Sequence, residues 1–211
     1  KPQRTIPSTH ILSVVQIFKV PGAEPVYMVY DNRDRLVLTQ DGEQRRNGRT
    51  DWLFTKYDAL NRPVLTGETS LAGTHANLQN TLNTYYDANP SKKYFEARNG
   101  SSIGYTNQSY PPDVSDTDYL SVTYYDDYTF PNNNLFQYQE ETGYPTSTDK
   151  LSPVKGQVTS TRTKILDGAT TPNWLQSVMY YDRKYRVVQV QQNNTIIPAN
   201  IDITYNKYDF P

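Results

Sequence analysis

The chain has 211 residues, with 21 Lys and Arg against 22 Asp and Glu for a formal charge of −1, and it contains no cysteine. Such a balance leaves no electrostatic footprint for a nucleic acid or an anionic membrane surface, and the missing thiols exclude disulfides, thiolate nucleophiles and sulfur-based zinc sites. No apolar run approaches the roughly 20 residues that cross a bilayer, and the opening stretch KPQRTIPSTH lacks the apolar segment of a signal peptide. Nineteen tyrosines and two methionines, among many Thr, Val, Asn and Asp, predict an all-β, mainly antiparallel fold of many short strands.

In chain order, His10 falls in a tail or edge before the first regular signal. Val26 to Tyr30 is an extended apolar and aromatic run, Asp31 can accept backbone N–H bonds from the residues after it, and Asn-Arg-Asp turns the chain into a second run, RLVLT. The arrangement recurs at Tyr57 and Tyr181. Aligned on Tyr30, Tyr57 and Tyr181, the copies carry Asp next (Asp31, Asp58, Asp182), Arg at the sixth position (Arg35, Arg62, Arg186) and Val at the eighth (Val37, Val64, Val188). Each copy is predicted to be strand, Asx-type turn and strand.

The fifth position holds Asp34, Asn61 and Tyr185. A hairpin of this loop length needs a left-handed residue there. Asp and Asn adopt that conformation readily and Tyr does not, so the third turn is expected to depart from the other two. The arginines read as structural: each can pair with its turn Asp or lay its guanidinium on a tyrosine ring of the next copy.

Weaker echoes keep only the dipeptide, at Tyr86-Asp87, Tyr125-Asp126 and Tyr208-Asp209. Successive Tyr-Asp pairs are 27, 29, 39, 56 and 27 residues apart, which fits a unit of about 28 residues with one insertion and one eroded copy. Between copies, GTHANLQNTLNTYYDA sets Leu78, Leu82 and Tyr85 at helical spacing behind Thr74, which predicts one short amphipathic helix near 74–86 with Thr74 as N-cap. The stretch 126–153, dense in Asn, Pro, Thr and Gly, reads as a loop-rich insertion around one short strand and as the place for any exposed lobe or hinge.

Catalytic groupings are sparse. His10 and His75 are the only imidazoles, and no G-x-S-x-G, H-E-x-x-H, P-loop or G-x-G-x-x-G pattern occurs. His75 reads as a surface or capping residue. Asp126-Asp127 and Glu140-Glu141 point to opposite faces if they lie on strands, so neither pair is an acid/base couple. The cluster Asp113, Asp116 and Asp118 lacks the Gly and terminal Glu of an EF-hand loop and reads as solvated turn carboxylates. Trp52 and Trp174 sit in matching contexts, DWLFTKYD and NWLQSVMYYD, and as parts of the repeat they are expected in the core rather than on a ligand platform. No enzyme activity, metal or cofactor is expected.

YDNRDRLVLTQD, YDALNRPVLTGE and YDRKYRVVQVQQ in register, together with YLSVTYYDDYTFP and KGQVTSTRTKILDG, resemble bacterial RHS proteins, the YD-repeat family, over most of residues 20–192. The chain departs from the family at the fifth position, where family repeats usually carry Gly. The resemblance implies an extended, curved sheet of repeated β-hairpins, which in large family members winds into a hollow shell around a C-terminal toxic or effector polypeptide. It also implies a secreted or cell-surface location. On this reading residues 1–211 are one YD-repeat region cut from a longer protein, and its partners are the remaining repeats and an encapsulated effector. The last copy, at Tyr208, is expected to be cut before its second strand, leaving a terminal strand frayed or paired with a neighbouring molecule. The alternative is a carbohydrate- or cell-surface-binding β module, motivated by the wealth of aromatic side chains.

Overall fold

A computed structural model describes residues 17–194 and 200–208. Among the described residues ten strands form a single antiparallel sheet in strict chain order: β1 (Ile17–Phe18), β2 (Val26–Tyr30), β3 (Leu36–Gln40), β4 (Asp51–Tyr57), β5 (Pro63–Ser70), β6 (Tyr119–Asp126), β7 (Val154–Ile165), β8 (Asn173–Tyr181), β9 (Val187–Asn193) and β10 (Ile201–Tyr205). The all-β expectation holds, and so does the hairpin at each full copy of the motif. In all three the Tyr pairs with the residue after the Arg (Tyr30 with Leu36, Tyr57 with Pro63, Tyr181 with Val187), and the register shifts immediately before that Tyr.

Alternation gives the sheet two unlike faces. Cross-strand pairing lines up Val29, Leu38 and Phe54, then Leu65 with Val122, and Ser160 between Tyr124 and Val178, on one buried face. The opposite face carries the row Thr55, Thr66, Ser121 and Thr163, with Thr66 and Ser121 hydroxyls 2.6 Å apart. Gly67 belongs to the buried side, where a side chain would run into the Phe54 ring and the Asp118 carbonyl.

Three excursions leave the meander, and the second and third of them supply residues to the core on the apolar face. The β3–β4 connection holds the short helix α1 (Gly42–Arg45), closed by a capping box between Asp41 and Gln44. The β5–β6 connection holds α2 (His75–Asp87), capped by Thr74 as expected and burying Leu78, Leu82 and Tyr86; segment 88–118 then crosses the sheet. Tyr86-Asp87 is therefore no echo of the hairpin motif but the last turn of α2, and its spacing from Tyr57 is coincidental. A helical period explains those residues better than a repeat does, since Leu78, Leu82 and Tyr86 recur every four.

The third excursion, 127–153, leaves the sheet where a turn after Tyr125-Asp126 would stand. It contains no strand, only a single 3₁₀ turn at Asn133–Leu135, and it is not a lobe set apart. Phe130 and Phe136 enter the core, and Tyr128 stacks on Tyr180 at 4.8 Å. An irregular backbone laid on a sheet must find partners for its peptide groups, and the β8–β9 glutamines supply them. Gln189 exchanges two bonds with the Gln139 backbone, Gln191 donates to the Gln137 carbonyl and Gln176 to that of Pro131.

Candidate functional site

The three motif turns share one geometry. In each, one Asp oxygen accepts the backbone N–H groups two and four residues on, and the other accepts the Arg Nε: Asp31 with Arg35 at 2.9 Å, Asp58 with Arg62 at 2.7 Å and Asp182 with Arg186 at 2.8 Å. The guanidinium then covers a tyrosine ring of a later copy, Arg35 over Tyr57 at 4.6 Å, Arg62 over Tyr125 at 4.2 Å and Arg186 over Tyr208 at 4.7 Å. That tyrosine closes the link by donating its hydroxyl hydrogen to the carbonyl just after the Arg: Leu36, Pro63 or Val187. The two roles that the residues left open for the arginines are thus filled at once.

Tyr185 corrects the sequence reading. Its φ is 61°, beside 58° at Asp34 and 63° at Asn61, so the third turn does not depart from the others. The strain is carried because the Asp182 bonds are all made and the Tyr185 side chain, 51% exposed, has no competing place to go. Replacing Tyr185 with Gly removes the left-handed penalty and should stabilise the protein by roughly 1 kcal/mol in urea melts; a destabilised variant would contradict this account.

At the interrupted copy Asp126 has no Arg of its own. It accepts both Arg62 amino groups, at 3.0 and 2.7 Å, and the Gly156 N–H. The Arg62 bond and that N–H hold its carboxyl at about 2. Burial by itself would raise the Asp182 carboxyl, but the Arg186 side chain and the Arg186 and Lys184 N–H groups outweigh it and leave it low.

The remaining candidates take structural places. The His75 ring stacks on Tyr27 at 4.8 Å. Asp118 accepts the Ser115 N–H, Asp116 the Ser102 hydroxyl, Asp127 the Thr129 N–H and Glu140 the Ser147 N–H, while Asp113 takes a left-handed turn position. Trp52 is fully buried, and Trp174 is half-buried under the Arg162 guanidinium at 4.6 Å. Tyr208 is bound as above, whereas His10 and the chain from Asp209 lie outside the described residues, as does the expected state of the cut repeat.

Sequence reasoning missed one polar centre. Lys56 and Glu96 have fully buried side chains, with Lys56 Nζ 3.4 Å from Glu96 Oε1, 2.6 Å from Asn107 Oδ1 and 3.1 Å from the Ser109 carbonyl. Glu96 also accepts the Thr106 and Ser109 hydroxyls and the Gln108 and Ser109 N–H groups. Burial pulls the Lys56 ammonium down to about 8, against the pull of Glu96. One signal was present: in DWLFTKYD, Lys56 is in phase with Trp52 and Phe54, and a lysine on the buried face of a strand requires a partner. Nearby, Arg98 lies over the Tyr105 and Tyr124 rings between open clefts of about 630 and 310 Å³. Comparison with protein-family models, curated proteins and solved structures found no match.

Proposed function

We propose that this chain is a non-catalytic structural segment, a stretch of β-sheet wall or surface scaffold in a large exported protein of the YD-repeat kind it resembles, with adjoining repeats and an enclosed effector polypeptide as its partners. The observation that carries this reading is the copy-to-copy link, in which each motif arginine ties its own turn and then receives the tyrosine of a later copy. Residues that recur because a mechanical joint recurs need no reaction to explain them. The aromatic wealth that motivates a carbohydrate-binding alternative is largely used internally: Tyr57 and Tyr125 under guanidinium groups, Tyr86, Tyr94, Tyr128 and Tyr180 in ring stacks, Trp52 in the core.

Arg62→Ala leaves Asp58 and Asp126 without their shared cation and should cost about 1–2 kcal/mol, seen as a lowered melting temperature. In parallel, the unsubstituted chain should retain no ligand on a panel of glycans and turn over no glycoside, ester or peptide substrate. Saturable glycan binding that is lost in Trp174→Ala, with an unchanged melt for Arg62→Ala, would favour the binding module.

A further inference from the structure

We propose that Lys56 and Asn107 join through an intramolecular isopeptide bond, with Glu96 as the catalytic residue that moves the protons. This inference stands apart from the scaffold reading. Lys56 Nζ already donates to Asn107 Oδ1 at 2.6 Å. A carbonyl bond is about 1.23 Å long, so the nitrogen lies within roughly 4 Å of the amide carbon, close to a near-attack distance. The amide is held from its other end, where Asn107 Nδ2 donates to the Val114 carbonyl at 2.8 Å. Glu96 Oε1 stands 3.4 Å from the same Nζ.

The environment favours the reaction. Lys56, Glu96 and Ser109 are buried, with Tyr110, Val114 and Tyr119 also buried in the adjoining stretch. Water is thereby kept from the amine. The charged groups acting on Lys56 are Glu96 and Asp113, both anionic, and burial still outweighs them, so that at slightly alkaline pH a large fraction of the side chain is neutral amine. Asn107 itself reaches the surface, which gives the leaving group a way out.

The atoms balance without a co-reactant. Glu96 takes one proton from the Lys56 ammonium, and the freed lone pair attacks Asn107 Cγ to form the Nζ–Cγ bond. A second proton passes from Nζ to Nδ2 by way of Glu96. The Cγ–Nδ2 bond then breaks, and Nδ2 departs as ammonia, which takes the first proton into solvent as ammonium. Nothing is oxidised or reduced, and the product is a secondary amide that clamps β4 to segment 88–118.

The test is the intact mass and tryptic map of the full chain after incubation at about pH 9, where an amine of depressed pKa is mainly neutral. The expected result is loss of one ammonia and a branched peptide linking Lys56 to Asn107. Lys56→Arg and Asn107→Ala should abolish both signals, and Glu96→Gln should slow their appearance about 100-fold. Asn47-Gly48 and Asn99-Gly100 can also lose ammonia through cyclic imides, so position decides. Linear peptides with unmodified Lys56 and Asn107 would overturn the proposal, as would an ammonia loss that maps elsewhere and survives Asn107→Ala. The map of the unsubstituted chain is decisive by itself, so the outcome does not depend on the variants folding.

Discussion

Glu96→Ala is expected to destabilise the protein by about 3–5 kcal/mol, because it strips a buried ammonium of its adjacent carboxylate and leaves only the weaker pull of Asp113. The loss is a large part of the 5–15 kcal/mol typical of a folded domain. It exceeds that of a simple ion-pair deletion since the Thr106 and Ser109 hydroxyls and the Gln108 and Ser109 N–H groups lose their acceptor as well. Lys56→Met makes the informative partner. It removes the cation yet leaves the carboxylate with all four of these donors, so roughly 1–2 kcal/mol is expected. Urea titration of both variants checks the order; if Lys56→Met proves the worse, the carboxylate is not the hub of this cluster.

Alkaline pH should unfold the chain steeply. Burial raises the phenols of Tyr86, Tyr105, Tyr119 and Tyr128 well above their ordinary value, and that of Tyr180 to about 12. A phenol raised by folding holds its proton where the unfolded chain, with a pKa of about 10, has released it. The stability it contributes is complete below pH 10 and is lost as pH climbs toward the folded value. Several such groups act together, so a cooperative loss of β-sheet circular dichroism is expected between about pH 10 and 12, coincident with tyrosinate absorbance. Tyrosinate appearing gradually, while the sheet signal persists past that window, would show that the rings titrate in place.

What the residues disclosed in advance was local. Asp31, Asp58 and Asp182 announce their turns because an Asx turn is closed within five residues, and Leu78, Leu82 and Tyr85 announce a helix through its own period, although it is Tyr86 that joins the two leucines among the buried residues while Tyr85 is only partly covered. Tyr185 misled because propensity weighs one residue alone, whereas the Asp182–Arg186 brace outweighs it. Tyr86-Asp87 misled because a dipeptide carries too little pattern to separate a hairpin from a helix end. The Lys56–Glu96–Asn107 centre and the glutamines beneath 137–139 depend on contacts across 40 to 54 positions, which no local periodicity encodes.

The interrupted copy at Tyr125-Asp126 shows how such a sheet accommodates new material. Where 127–153 stands in place of a turn, that copy carries Phe130 at its sixth position and no arginine, and Arg62 from the preceding copy spans both Asp58 and Asp126. The joint has a direction, since each cation, beyond bracing its own turn, lies over the tyrosine of a copy nearer the C-terminus, like overlapping roof tiles. Novel sequence can thus enter at a turn without opening the ladder of strands, so long as the tile before it is intact. The most permissive position for an inserted segment is then the loop that follows a complete motif, and the least permissive is the motif whose successor has no arginine of its own.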